Sequence, residues 1–244
     1  MSYAEEYLAT VRDQIDAVGE SQRDQIAAAG QYFADVLCRG GWIYVFGTGH
    51  SHMIAEELFY RAGGLSRIRP ILISPLMLHE SACESTALER DPRMVDQILE
   101  EYPIQSEDVL LIASNSGRNP VPVELAKRVQ QRKTPVIALL NRRHSASVES
   151  RHESGLKLGD LADLVIDNCG VEGDACVALS EGSGKIGAAS TVTGALIVQM
   201  IACHAVERAT KAGWKPEVFS SSNAAGGEGN DAILERYRGR VRHL

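Results

Sequence analysis

Apolar positions follow two different periods along the chain. Through residue 40 they recur at spacings of three and four, which predicts amphipathic helices arranged as an N-terminal helical hairpin. Beyond residue 40, short runs that are apolar at nearly every position alternate with helical stretches, and the runs lie at 43–46, 71–73, 109–113, 135–140 and 161–166. Strands without a polar face are typical of a parallel sheet that helices cover on both sides. The pattern therefore predicts an α/β protein, a doubly wound three-layer α/β/α sandwich with a five-stranded parallel sheet.

The segment after the last run has a different character. It opens with a glycine-rich loop at 169–186, continues as a long apolar helix at 188–211, and ends in a serine- and glycine-rich loop before a short helix. Because no internal repeat or linker divides the chain, we expect one domain over residues 1–244. Its core would span about 41–210, flanked by the helices of 1–40 and a C-terminal segment at 211–244.

The composition disfavours several classes of protein. Hydrophobic residues make up 44% and charged residues 23%, and the formal net charge of −7 argues against nucleic-acid binding. No uninterrupted apolar run approaches the roughly 20 residues that span a bilayer, and the acidic N-terminus does not resemble a secretory signal. We therefore expect a cytoplasmic protein with no membrane and no nucleic-acid partner. Five scattered cysteines without a CxxC pair indicate neither structural zinc nor a disulfide framework.

Two of the predicted strands end in turns rich in glycine and hydroxyl groups. The first strand leads into GTGHS and the third into SNSGRNP, each just before a helix. At the carboxyl edge of an open parallel sheet, such turns present backbone amides and hydroxyls to an anion. The predicted phosphate-binding residues come from these two turns: Gly47, Thr48, Gly49, Ser51, Ser114, Asn115, Ser116, Gly117 and Asn119. The first turn has neither the GxGxxG of a dinucleotide site nor the GK[ST] of a P-loop, which favours a small phosphorylated ligand.

The order of these motifs resembles the sugar isomerase (SIS) domain family. GTGHS and SNSGRNP, each followed by a helix, and then PVIALLN and LADLVIDN, match its pattern over about 41–168. The flanking helices and the SSSNAAGGEGN tail resemble the stand-alone SIS proteins often labelled phosphoheptose isomerases. The resemblance implies a phosphosugar ligand held through Ser51, Ser114, Ser116 and Asn119. At the position of Asn119 the family usually has Ser or Thr.

Two pairs of residues are candidates for acid-base chemistry. His52 and Glu56 are four positions apart, so a helix places them on one face. Phosphoheptose isomerases have a similar His-x-x-x-Glu pair about one turn later. His79 and Glu80 follow the second strand, where SIS isomerases often carry an acid or a histidine, and we expect Glu80 to be the base and His79 the ring-opening acid. The alternatives are that the second pair caps the next segment and that the first is a solvated helical pair.

These inferences predict a phosphosugar isomerase that shifts a carbonyl between carbons 1 and 2 through an enediol. Two alternatives stay open, a protein that binds a phosphosugar as a sensor and a lyase or deaminase that acts on one. No metal and no cofactor is predicted, because the spacing of His52, Glu56 and His79 is not diagnostic of a metal site. The apolar stretch 188–205 predicts a homodimer or homotetramer with sites near subunit interfaces. Asn223 and Asn230 either reach a neighbouring subunit's site or are turn residues that tolerate left-handed geometry, and the second interpretation is favoured.

Overall fold

Five parallel strands form the central sheet of the structure, which is a computed structural model that describes residues 1–182, 184–221 and 229–244. The strands are β1 (Ile43–Gly47), β2 (Ile68–Ile71), β3 (Val109–Ala113), β4 (Val136–Leu140) and β5 (Leu164–Asp167). They pair in the order β2-β1-β3-β4-β5, and every residue of β1, β3 and β4 is buried. Complete burial of the central strands explains why the sequence shows no polar face there, and it confirms the predicted doubly wound α/β fold.

Helices cover both faces of this sheet. They are α1 (Tyr3–Ser21), α2 (Arg23–Arg39), α3 (Met53–Leu58), α4 (Ala82–Leu88), α5 (Met94–Glu101), α6 (Pro120–Gln130), α7 (Arg142–Ala146), α8 (Leu158–Leu161), α9 (Ser190–Lys211) and α10 (Asn230–Tyr237). Side chains of α2, α3 and α9 pack with alternate strand residues such as Val45 on the first face. Side chains of α5 and α6 pack with the intervening residues, such as Phe46, on the second face. The chain therefore buries two apolar clusters, one on each side of the sheet.

The two N-terminal helices meet at a single residue, Gln22. A capping box between Ser2 and Glu5 begins α1, and Gly40, in the left-handed conformation with φ of 81°, ends α2. The buried side chain of Gln22 accepts a hydrogen bond of 3.0 Å from the backbone N–H of Asp167. The helix junction is thereby tied to the carboxyl end of β5.

Strand β2 begins earlier than its apolar letters predict. The sequence favours a strand at 71–73, whereas the structure places it at Ile68–Ile71 and moves Ile73 into a buried turn. The observed strand contains Pro70 and lies at the edge of the sheet, where a missing N–H is tolerated. Because an edge strand can contain residues such as Arg69 and Pro70, it lacks the continuous apolar run that locates a central strand.

The predicted glycine-rich loop contains a β-hairpin. Strands β6 (Ala175–Ala178) and β7 (Lys185–Ala188) pair antiparallel to each other and lie beside α1. The Tyr7 hydroxyl donates a 2.9 Å hydrogen bond to the carbonyl of Ala188. This hairpin leads directly into α9, so it determines where that helix begins.

Helix α9 was predicted at 188–211 and is found at Ser190–Lys211. Of the helices in the described part of the chain, it is the one whose length and mean hydropathy of 1.2 over 18 residues would suffice to cross a bilayer. Its buried residues, among them Ile197 and Ile201, belong to the first apolar cluster and pack against α2 and α3. We therefore assign α9 to the core of the protein.

Candidate functional site

The turn after β1 is built around close backbone contact. A Cβ atom at Gly47 would lie 2.3 Å from the backbone oxygen of Ser51, so only glycine fits there. Gly49 has a φ of 54°, and the following 3₁₀ turn, Gly49–His52, leads into α3. The N–H of Ser51 donates to the carbonyl of Thr48, which closes the turn and leaves the Ser51 side chain at the sheet edge.

The turn after β3 has a related design. Gly117 has a φ of 61°, and its N–H donates to the Ser114 side chain at 3.2 Å. Pro120 then begins α6, where its missing N–H costs nothing, and Asn119 is the residue before it. Both glycine-rich turns therefore lie at the carboxyl edges of adjacent parallel strands.

A crevice opens between these turns and the start of α9. It holds about 310 Å³ of empty space, including solvent at its mouth. Its polar lining comes from three places on the sheet edge and from one helix: His50, Ser51, Ser114, Asn115, Asn168, Ser190 and Thr191. Strand order reverses between β1 and β3, and such a switch point is where open α/β sheets bind their ligands. The crevice brings together the predicted Ser51, Ser114 and Asn115.

Several polar groups at this edge have no hydrogen-bond partner within the described residues. They include the hydroxyls of Ser51, Ser116 and Thr191. Asn168, which is buried, donates from Nδ2 to the Oδ1 of Asn115 at 2.9 Å. That bond occupies the Asn115 oxygen and leaves its amide nitrogen as a donor, so the edge offers donors suited to an anion.

The first turn of α9 is occupied by a carboxylate. Asp174 Oδ1 accepts from the N–H of Ala189 at 3.0 Å and of Ser190 at 2.8 Å. Its Oδ2 accepts from the Ser190 hydroxyl at 2.7 Å. Asp174 therefore caps the helix and offsets part of the partial positive charge at its N-terminus, while the Thr191 hydroxyl remains unpaired beside the crevice.

Glu89 is the functional candidate that sequence reasoning missed. Its Oε2 accepts from the Thr48 hydroxyl at 2.9 Å and its Oε1 from Asn119 Nδ2 at 2.7 Å, so it joins the two turns. Burial raises the pKa of its carboxyl above the ordinary value, against the opposing effects of the Thr48 hydrogen bond and of the charges on Arg90 and Arg151. No local motif marks it, because Thr48 and Asn119 are distant in sequence.

The predicted acid-base pairs lie beside the turns. The Ser74 hydroxyl donates to Glu80 and lies 3.3 Å from His79 Nε2, so these two side chains share one partner. In the other pair, His52 Nδ1 donates to the carbonyl of Gly49, and His52 Nε2 is 3.5 Å from Glu56. None of these four side chains lines the crevice formed by the described residues.

The remaining candidates are also placed. Both pairs fall outside any metal cluster, because no three His, Cys, Asp or Glu side chains of the described ranges converge on a point. Asn230 hydrogen-bonds to the backbone of Ser220 through both ends of its amide, at 2.8 and 2.9 Å, and so closes the C-terminal loop. Asn223 and most of the SSSNAAGGEGN tail lie outside the described residues.

The chain is similar to known proteins over most of its length. The family model for the SIS domain matches residues 6–141 of the chain, and thus includes most of α1, all of α2 and both turns. A UPF0309 protein of Listeria innocua is 40% identical over 228 residues, which is 93% of this chain and 92% of the relative.

Solved structures show the same fold at low sequence identity. A phosphoheptose isomerase from Francisella tularensis has a TM-score of 0.53 and 16% identity, over 84% of this chain and 96% of that chain. The Vibrio vulnificus NanR protein, solved as a complex with ManNAc-6P, has a TM-score of 0.52 and 16% identity, over 96% of this chain and 67% of that chain.

Proposed function

The chain belongs to the SIS domain family, and on that premise we propose that it is a phosphosugar isomerase, interconverting an aldose phosphate and a ketose phosphate through an enediol. The observation that carries the proposal is the crevice, where the unpaired hydroxyls of Ser51 and Thr191 meet at the switch point of the sheet. The names of two structurally similar proteins, a phosphoheptose isomerase and a ManNAc-6P complex, support a phosphosugar ligand.

The phosphate would bind at the two turns and the sugar would extend from it. Hydroxyl and amide donors of Ser51, Ser114, Ser116 and Asn115 hold the phosphate oxygens. Binding energy from this remote group then orients the reacting carbons and supports catalysis at the other end of the sugar.

Proton transfer between carbons 1 and 2 needs a carboxylate or an imidazole with a pKa near the working pH. Of the predicted bases, Glu80 and Glu56 are exposed, whereas Glu89 is half-buried with a raised pKa and contacts both turns. We therefore rank Glu89 first as the base, with Glu80 and Glu56 as alternatives and His79 or His52 as the ring-opening acid.

A sensor that binds a phosphosugar without reaction is the second candidate function. The likeness to NanR with ManNAc-6P favours it, since the same crevice serves binding alone. A phosphosugar lyase or deaminase would use the same carboxylates to release a leaving group. The product decides among the three: a ketose phosphate, no product, or released ammonia or lactate.

We also propose that the protein is a homo-oligomer. Helix α9 contributes only part of its apolar surface to the core, and Val192 near its start is 40% exposed. Met53, Tyr60 and Ile186 are exposed apolar side chains as well. Multi-angle light scattering on a size-exclusion column tests this, and a monomeric mass at micromolar concentration would overturn it.

The first experiment compares thermal unfolding with hexose, pentose, heptose and amino-sugar phosphates, each beside its unphosphorylated sugar. A ligand at 100 times its Kd stabilises the folded state by about 2.7 kcal/mol. Stabilisation by phosphorylated members alone supports the crevice, whereas equal effects with and without phosphate refute it.

The best ligand is then followed by NMR in D₂O for isomerisation and for deuterium uptake at carbon 2. Glu89→Gln should retain binding and lose turnover, with Glu80→Gln and Glu56→Gln as matched carboxylate variants. If all three variants and the wild type bind without turnover, the sensor replaces the isomerase as the proposed function.

A further inference from the structure

Three arginines lie at the second turn: Arg90 and Arg151 act on the charge of Glu89, and Arg118 lies beside Arg151. Arg90 follows Glu89 in the chain, while Arg118 and Arg151 come from the turn after β3 and from the loop before α8. The backbone N–H of Arg151 donates a 2.9 Å hydrogen bond to the backbone carbonyl of Arg118, which holds these two residues side by side. We call Arg90, Arg118 and Arg151 the arginine cluster.

Hydrogen bonds connect the cluster to the crevice. Arg151 Nη1 donates to Asn119 Oδ1 at 3.0 Å, and Asn119 Nδ2 donates to Glu89 at 2.7 Å. Glu89 in turn accepts from Thr48, in the same turn as Ser51. The cluster thus adjoins the crevice at the same sheet edge, on the face covered by α6 rather than by α9.

The cluster has more positive charge than its surroundings neutralise. The guanidinium groups of Arg90 and Arg118 form no hydrogen bond or ion pair with any residue that the structure describes, and the Nε of Arg118 is buried without a partner. Buried donors normally find a partner, so this one needs an explanation. Burial and the neighbouring charges of Arg118 and Arg90 also lower the pKa of Arg151.

We propose that the arginine cluster binds a second anionic group of the ligand, a carboxylate or a second phosphate, while the crevice holds the first phosphate. Guanidinium groups suit this task because their planar donors match carboxylate and phosphate oxygens. The inference rests on the proposed function and narrows its ligands to phosphosugars that carry a second anionic group. A sugar with a single phosphate leaves the cluster unfilled.

Two matched pairs of compounds test the proposal by isothermal titration calorimetry. Sorbitol 6-phosphate and 6-phosphogluconate differ only at carbon 1, where a hydroxymethyl group becomes a carboxylate. Fructose 6-phosphate and fructose 1,6-bisphosphate provide the second arm, in which the added anion is a phosphate. In the wild type we expect one doubly anionic member to bind at least about tenfold more tightly than its partner, a difference that added salt reduces.

The double variant Arg90→Gln/Arg118→Gln should remove this preference and leave the affinity for sorbitol 6-phosphate within about twofold, which also shows that the variant is folded. Arg12→Gln, an exposed arginine on α1, makes a control for loss of charge and should keep the preference. If the wild type binds both members of each pair with an affinity ratio near one, the proposal is wrong. It is also wrong if the double variant keeps the preference for the doubly anionic member. Equal weakening of both members would assign the arginines to the first phosphate instead. If no compound binds the wild type, the proposed function itself fails.

Discussion

Replacement of Gly47 by alanine tests the geometry of the first turn most directly. The new Cβ would lie 2.3 Å from the backbone oxygen of Ser51 and 2.4 Å from its carbonyl carbon. Both are backbone atoms, so no side-chain rotation relieves the contact. The turn must move by about 1 Å, and overpacking of this kind costs about 1–3 kcal/mol.

The same movement displaces Ser51 from the crevice. A misplacement of about 1 Å at a binding group can reduce function on the order of 100-fold. Gly47→Ala should therefore lower Tm by about 2–12 °C, at roughly 2–4 °C per kcal/mol for a chain of this size. Its affinity for fructose 6-phosphate should also fall, and by more than destabilisation of the fold alone would cause, because Ser51 is displaced.

Gly19→Ala is the matched control. Gly19 lies within α1, and a Cβ there meets nothing within 4 Å. The substitution should stabilise the protein by about 0.5–1 kcal/mol and leave binding unchanged. Differential scanning calorimetry and titration calorimetry measure both effects. A Gly47→Ala variant with wild-type Tm and affinity would refute the claim that close packing of this turn positions Ser51.

Three further predictions concern the crevice and its neighbours. Burial raises the pKa of Glu89 above 4.5 in the folded protein. The stability of the wild type relative to Glu89→Gln should therefore be greatest below pH 4.5 and fall as the pH rises through the folded-state pKa. Urea unfolding at several pH values measures this difference in stability, and a difference that stays constant with pH would contradict the prediction. Asp174→Asn keeps an oxygen acceptor at the start of α9 but removes its charge, so inorganic phosphate should bind about two- to fivefold more tightly by calorimetry, and weaker binding contradicts the argument. Asn168→Ala removes the hydrogen bond that orients the amide of Asn115, so the affinity for fructose 6-phosphate should fall about tenfold. Asn230→Ala, which removes another buried amide, should change stability without that effect on affinity.

The sequence prediction is most accurate for strands that are buried and paired on both sides. Strand β3 was predicted with its observed ends, Val109–Ala113, because it is paired on both sides and wholly apolar. The edge strand β2 was displaced by three residues at its start, and the hairpin of β6 and β7 was predicted as a loop. The hairpin strands have four residues each with little burial, so their residues lack the apolar pattern that identifies a core strand.

The candidate site was predictable where its residues adjoin in sequence. Ser114 and Asn115 directly follow β3, and Ser51 lies in the turn after β1. Asn168 directly follows β5, and the same position after a strand end would predict it. Glu89 could not be found so, because only tertiary packing brings it against Thr48 and Asn119. The proposed role of Glu89 in proton transfer therefore depends on contacts that local motifs do not encode.

The edges of the sheet also bear on how copies of the chain can meet. Pro70 in β2 cannot donate to an incoming strand, and Arg69 beside it bonds to the carbonyl of Arg240 at 2.6 Å. At the opposite edge, β5 has four residues and ends at Asp167. Strand addition, the route by which unprotected sheets polymerise into fibrils, is disfavoured at both edges. Concentrated protein should therefore remain free of cross-β aggregates, and the proposed association between copies would use helical surfaces instead of strand edges.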